Sequence, residues 1–277
     1  MKKDENQIRF DQLEETWKVY REDQRTLETL VSRAVEEWGD DDVPYPDAMT
    51  ILHFKGNADT LDAAKKLCTS TLPLRRSVGV TILAQLGVPT RTYPDECIEI
   101  LTLVLEKEND PNVIADTLIA LGHHAEKRPV AVMTRFGDHP DARVRYALAF
   151  GLLGIEEKRA VSAMLKLMTD SDPATRDFAT FGIGMQIDAD TPKIREILFH
   201  NLYDEDEDVR FEALAGLARR RDIRILNKLV DDLAGLGDMH CDISTLCDAL
   251  ADMKAYYTGN PEILKKALAA CCEKPEV

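Results

Sequence analysis

A chain of 277 residues that sets 50 acidic against 35 basic side chains, for a formal net charge of −15, repels phosphate backbones and anionic lipid surfaces alike. Nucleic acid and membrane are therefore not expected as partners, and a basic protein fits the long-range field better. Hydrophobic residues make up 44% and aromatic residues only 6%, a balance that suits thin helix-on-helix layers better than a sheet sandwich.

The first element is expected over residues 7 to 38, where apolar side chains such as Leu13, Trp17, Tyr20, Leu27 and Leu30 recur at helical spacings. A break falls near Arg21 to Asp23. Trp17 and Trp38 suit the cover of an otherwise open core end. Gly39 to Asp42, followed by Pro44 and Pro46, closes this element. Paired helical segments then follow. Asp47–Phe54 goes with Thr60–Thr69, Leu74–Leu86 with Asp95–Glu106, and Asn112–Leu121 with Lys127–Arg135. Ala142–Leu153 goes with Lys158–Thr169, Ala174–Met185 with Pro192–Tyr203, and Glu207–Ala218 with Ile223–Leu233. Asp242–Tyr256 with Pro261–Cys272 makes a last, irregular pair. No β-period run interrupts the series, so the chain reads as all-α.

Three of these copies share one pattern. Aligned on Arg145, Arg176 and Arg210, each has an aspartate four residues earlier (Asp141, Asp172, Asp206) and a glycine six residues later (Gly151, Gly182, Gly216). The steps between the arginines, 145 to 176 to 210, are 31 and 34 residues. A period of that size marks stacked small units rather than one globular core. An acid at a helix start accepts orphan amide hydrogens and meets the positive end of the helix dipole. The arginine one turn on can bond that acid, or the acid of the neighbouring copy, in a ladder along the stack. Such periodic residues read as framework, not as a ligand site. Each mid-helix glycine costs about 0.5–1 kcal/mol relative to alanine, which close helix approach would offset. The ladder is not expected to extend into the first half. DPNVIADTLIALG at 110–122 has Ile114 in place of the arginine, and LPLRRSVGVTILAQLG at 72–87 shifts Arg75-Arg76 along its helix.

These Asp-Pro, Val-Arg and Leu-Gly helical pairs resemble HEAT repeats over approximately residues 45 to 270. The resemblance implies an α-solenoid of about six to seven antiparallel helix pairs, with residues 1–44 as an N-terminal helical cap, 45–272 as the repeat array and 273–277 as a tail. The order of the copies further resembles a bacterial HEAT-repeat family that includes immunity proteins associated with Rhs polymorphic toxins. That resemblance implies a non-enzymatic protein that binds a basic toxin domain and neutralises it. A general scaffold or assembly chaperone, or the non-catalytic frame of a lyase-type enzyme subunit, is the alternative. The hydroxylase members of the HEAT class carry His-Glu dyads, and the residues after the six histidines here are Phe54, His124, Ala125, Pro140, Asn201 and Cys241.

No catalytic residue, cofactor or metal site is expected. His123-His124, with Glu126 nearby, diverge on a helix and read as a surface pair at its end. Arg219-Arg220-Arg221 suits a helix C-terminus, and arginine forks there can also take oxyanions. The run Asp204-Glu205-Asp206-Glu207-Asp208 exceeds what one helix start needs. Asp204, Glu205 and Asp208, with Arg219 and Arg220, are the candidate partner-binding residues. The six cysteines follow neither a disulfide framework nor CxxC spacing. No apolar leader core and no run of about 18 apolar residues is present. The protein is expected in a reducing cytoplasm.

Overall fold

The computed structural model describes residues 17–39, 47–124 and 127–225. The expected elements before residue 17 and after residue 225, and the break at 40–46, lie outside the described residues. Every regular element among the described residues is helical. The chain divides into two compact units, Met1–Gly151 and Leu152–Val277.

In the first unit, residues 17–21 are helical, and the chain then breaks before α1 (Leu27–Glu37), whose Thr29 amide is capped by the Thr26 hydroxyl. Helix α1 buries Leu30 and Ala34 and packs on α2 (Asp47–Lys55). Trp17 and Tyr20 stack on Phe54 at ring-centroid distances of 6.3 and 5.3 Å. Next come α3 (Ala58–Cys68), α4 (Pro73–Ala84), α5 (Pro94–Lys107) and α6 (Pro111–Gly122). The proline at the first position of the last three suits a helix start, where no amide hydrogen is needed. The expected helix Lys127–Arg135 shrinks to α7 (Val130–Met133) and a 3-10 turn, Thr134–Phe136. Pro129 disfavours the helical region for Arg128, and β-branched Val130, Val132 and Thr134 resist propagation. Helix α8 (Ala142–Gly151) closes the unit. The first helices of successive pairs lie side by side, α4 on α6 and α6 on α8, while α3 and α5 pack on α4. Leu83, Leu101, Leu118, Leu121, Met133 and Leu148 are fully buried among them.

The second unit contains α9 (Lys158–Leu167), α10 (Pro173–Met185), α11 (Pro192–Asn201) and α12 (Glu207–Arg219). Helix α10 lies against α12, with α9 packed on α10 and α11 on α12. Its tightest crossing is glycine on glycine. A Cβ at Gly216 would stand 2.7 Å from the Gly184 Cα, and one at Gly184 would stand 3.0 Å from the Glu212 carbonyl oxygen. The three repeated glycines thus differ in what they admit. A Cβ at Gly151 would meet the Leu118 carbonyl oxygen at 2.8 Å, whereas at Gly182 it would meet only side chains, the Met164 methyl and Leu153 Cδ2.

Candidate functional site

The repeated arginines hold the turns that precede their helices. Nη1 of Arg145 donates to the carbonyls of His139 and Pro140 at 2.8 and 3.2 Å. Arg176 does the same to Asp170 and Ser171, and Arg210 to Asp204 and Glu205. In each case the acceptors lie six and five residues back. Arg76 donates to Ser70 and Thr71 at that same spacing, so the arginine position does reach the first half of the chain, contrary to the sequence expectation. The repeated aspartates are occupied elsewhere. Asp172 accepts from the Thr175 amide at 2.8 Å, Asp206 from the amides of Asp208 and Val209, and Asp141 from that of Arg143. They are caps.

The acid that answers an arginine comes from the next copy. Arg176 makes a two-pronged pair with Asp204, at 2.9 Å from Nε and 2.8 Å from Nη2. Arg76 makes the equivalent pair with Glu108 at 2.6 and 2.9 Å. Glu108 and Asp204 each stand two residues before a capping aspartate and accept its amide, that of Asp110 or Asp206, at 2.9 Å. Burial alone would push both carboxyls up. The guanidiniums and amides outweigh it and hold them below the ordinary range. The sequence signal for this partner was present as an acid two residues ahead of the cap, in END at 108–110 and DED at 204–206.

Asp204, offered by the sequence as a docking acid, is a half-buried structural partner of Arg176. Glu205, Glu207 and Asp208 are exposed. They adjoin two carboxylates that sequence reasoning missed. Glu212 on α12 is pushed up to about 7, by burial first and then by Asp177 and Asp208. Asp177 on α10 is pushed up to about 6 by burial, then Asp208, then Asp206. No cation pairs with Asp177 or Glu212 among the described residues, so the acids of α10 and α12 repel one another without compensation. The available signal was non-repetition. Asp177 and Glu212 follow their arginines by one and two residues, where the copy at Arg145 carries Tyr146 and Ala147.

Arg220 also departs from expectation. It is buried, and it donates to the carbonyls of Ile183, Gly184, Gly216 and Ala189 at 2.7 to 3.0 Å, so it ties together the ends of α10 and α12. Arg219 donates to the Met185 carbonyl at 2.7 Å and pairs with Asp188. In the first unit Arg91 links the carbonyls of Ala84 and His123, and Arg128 takes that of Gly151. Each satisfies carbonyls that a helix C-terminus leaves unpaired.

His124 is buried, not a surface residue. Its Nε2 lies 3.2 Å from the Leu83 carbonyl oxygen, and burial pulls its pKa down to about 4. The His123 ring turns away to meet Phe150 edge-on at 5.4 Å, and Glu126 lies outside the described residues. Among the described residues, no group of three His, Cys, Asp or Glu side chains is arranged to hold a metal ion. No described helix is long and apolar enough to cross a membrane.

No family model matches the chain. Protein YibA of Escherichia coli K12 is 27% identical over 191 residues, which cover 66% of this chain and 67% of the relative. YibA of E. coli O157:H7 gives the same figures. The X-ray structure of YibA is similar to this one with a TM-score of 0.68, at 19% identity and over 99% of each chain. The crystal structure of an engineered protein is similar with a TM-score of 0.50, at 17% identity over 89% of this chain and 77% of that one. The fold is shared with YibA.

Proposed function

We propose that this chain is a protein-binding module of stacked HEAT-like helix pairs forming an α-solenoid, and that its second unit binds a cationic protein surface. The sharpest form of the proposal is an immunity protein, cytoplasmic and non-enzymatic, that captures a basic polymorphic toxin domain of the Rhs type. One observation carries the binding reading. Asp177, Asp208 and Glu212 are gathered on α10 and α12 without a cation, and burial, with repulsion from neighbouring acids added to it, raises Asp177 and Glu212. An arginine or lysine brought by a partner would relieve that repulsion and release bound protons, so the surface is in effect built for a charge it does not itself contain. Exposed Glu205 and Glu207 extend the field, and Tyr203, 63% exposed, supplies an aromatic anchor beside it. The toxin reading rests on the sequence resemblance. Capping and turn-holding account for the arginines that an oxyanion-binding reading would need.

Co-purification of the full-length protein from its native host, at low and then high salt, tests the proposal. The expected outcome is a basic protein retained at low salt, released at high salt and lost with Asp177→Asn/Asp208→Asn/Glu212→Gln. Retention that ignores both salt and these substitutions would sink it. If the recovered protein is a toxin whose activity the chain blocks, the immunity form stands. A harmless basic client favours the scaffold alternative.

A further inference from the structure

The second helices of the first unit contrast with the closely packed first helices. Helices α3 and α5 both rest on α4, yet a groove of about 550 Å³ opens between them. Its α5 wall is Ile100, Leu103 and Val104. Their spacing of i, i+3, i+4 makes an apolar stripe separate from the one that α5 spends on the core through Cys97, Leu101 and Leu105. Leu103 is 46% exposed. Ile100 and Val104 are partly exposed beside it, so the stripe is open to solvent along the groove. The groove's end is fixed by the Arg76–Glu108 pair, whose charges cancel. Lys65 on α3 and Lys107 on α5 remain on the rims. Lys65 stands 3.7 Å from exposed Asp62, and Lys107 has no acid partner among the described residues. In a chain of net charge −15, this apolar cleft therefore has cationic edges.

From this we infer a second docking surface, of opposite preference to the acidic face. The α3–α5 groove takes an acidic amphipathic helix of a partner protein, laying apolar side chains on Ile100, Leu103 and Val104 and carboxylates against Lys65 and Lys107. Helix-in-groove recognition of this kind is read by anchors at i, i+3 or i+4 and i+7, and charges at the rim set register and polarity. The inference does not rest on the toxin reading or on the acidic face.

The probe is a synthetic helix-forming peptide of about four turns, with leucines at helical spacing flanked by glutamates, titrated by fluorescence anisotropy onto the full-length protein. A counterpart with lysine for glutamate is the control. The acidic peptide is expected to bind with micromolar affinity that falls with salt. Leu103→Asp, and separately Lys65→Glu/Lys107→Glu, should each weaken binding by at least about tenfold with unchanged circular dichroism. Any binding of the lysine peptide should ignore these substitutions. Failure of the acidic peptide to bind, or binding that survives both variants, overturns the inference. So does sedimentation showing a wild-type dimer that Leu103→Asp converts to monomer, because the groove would then belong to a second copy.

Discussion

Glu212→Gln should stabilise the fold at pH 8 and lose most of that effect by pH 5. The carboxyl ordinarily titrates at 4.5 and in the folded chain at about 7, so the folded state holds the proton more tightly than the unfolded chain does. Its ionisation is therefore a penalty, absent below the unfolded value and complete above about 7. At about 1.4 kcal/mol per pH unit the full penalty would be about 3 kcal/mol, and solvent screening at a partly exposed site reduces it to about 1–2 kcal/mol. At pH 5 only about a quarter of it remains, because the folded group is then protonated and the unfolded group only partly ionised. Glutamine keeps the shape and removes the charge. Urea denaturation of wild type and variant at the two pH values reads the difference directly. Asp177→Asn should act in the same direction, and the double variant should gain less than the sum, since part of the Glu212 shift comes from Asp177. A gain that is equal at pH 5 and pH 8, or a loss at pH 8, would refute the claim that these acids face one another unpaired.

Arg176→Ala removes both turn bonds and the cation paired with half-buried Asp204, so a loss of about 2–3 kcal/mol is expected, measured by denaturant titration; Arg210→Ala, which gives up two bonds to carbonyls, should cost clearly less. Gly216→Ala, which drives a Cβ onto the Gly184 backbone, should lower the melting temperature far more than Gly182→Ala, where side chains can give way. The larger Gly182→Leu should still destabilise, and a thermal melt without loss would remove close packing from that position. Leu72, which stands 57% exposed at the start of α4 with no side-chain cap, should be improved by Leu72→Asp by about 1 kcal/mol. Cys68 and Cys97, whose thiols burial pushes up to about 12, should resist a thiol reagent until the chain unfolds, as peptide mapping would show.

Local signals carried most of the helix boundaries. An aspartate cap and 3.6-residue periodicity, with proline at the first position of α6 and α10, placed α6, α10 and α12 within a residue or two of where they lie. Among the described helices, α7 fell short, where Pro129 and three β-branched residues outweighed the apolar pattern. The side-chain roles were harder to read because they depend on partners far along the chain. Asp204 looked like one of five solvated acids, yet its cation is 28 residues earlier. Arg220 looked like an exposed tip, yet its acceptors include carbonyls from Ile183 to Ala189. Arg76 was obscured by Leu72, which occupies the position of the capping aspartate and removes the landmark for alignment. Asp177 and Glu212 meet only when α10 and α12 pack, and no window of sequence contains both.

Hydrogen exchange on the full-length chain, alone and bound to the basic protein recovered from its host, tests the central claim most directly. The account predicts protection centred on the first turns of α10 and α12 and on the 203–208 turn between α11 and α12, weakened by Glu212→Gln. Protection confined to the α3–α5 groove, or none in the second unit, would contradict it.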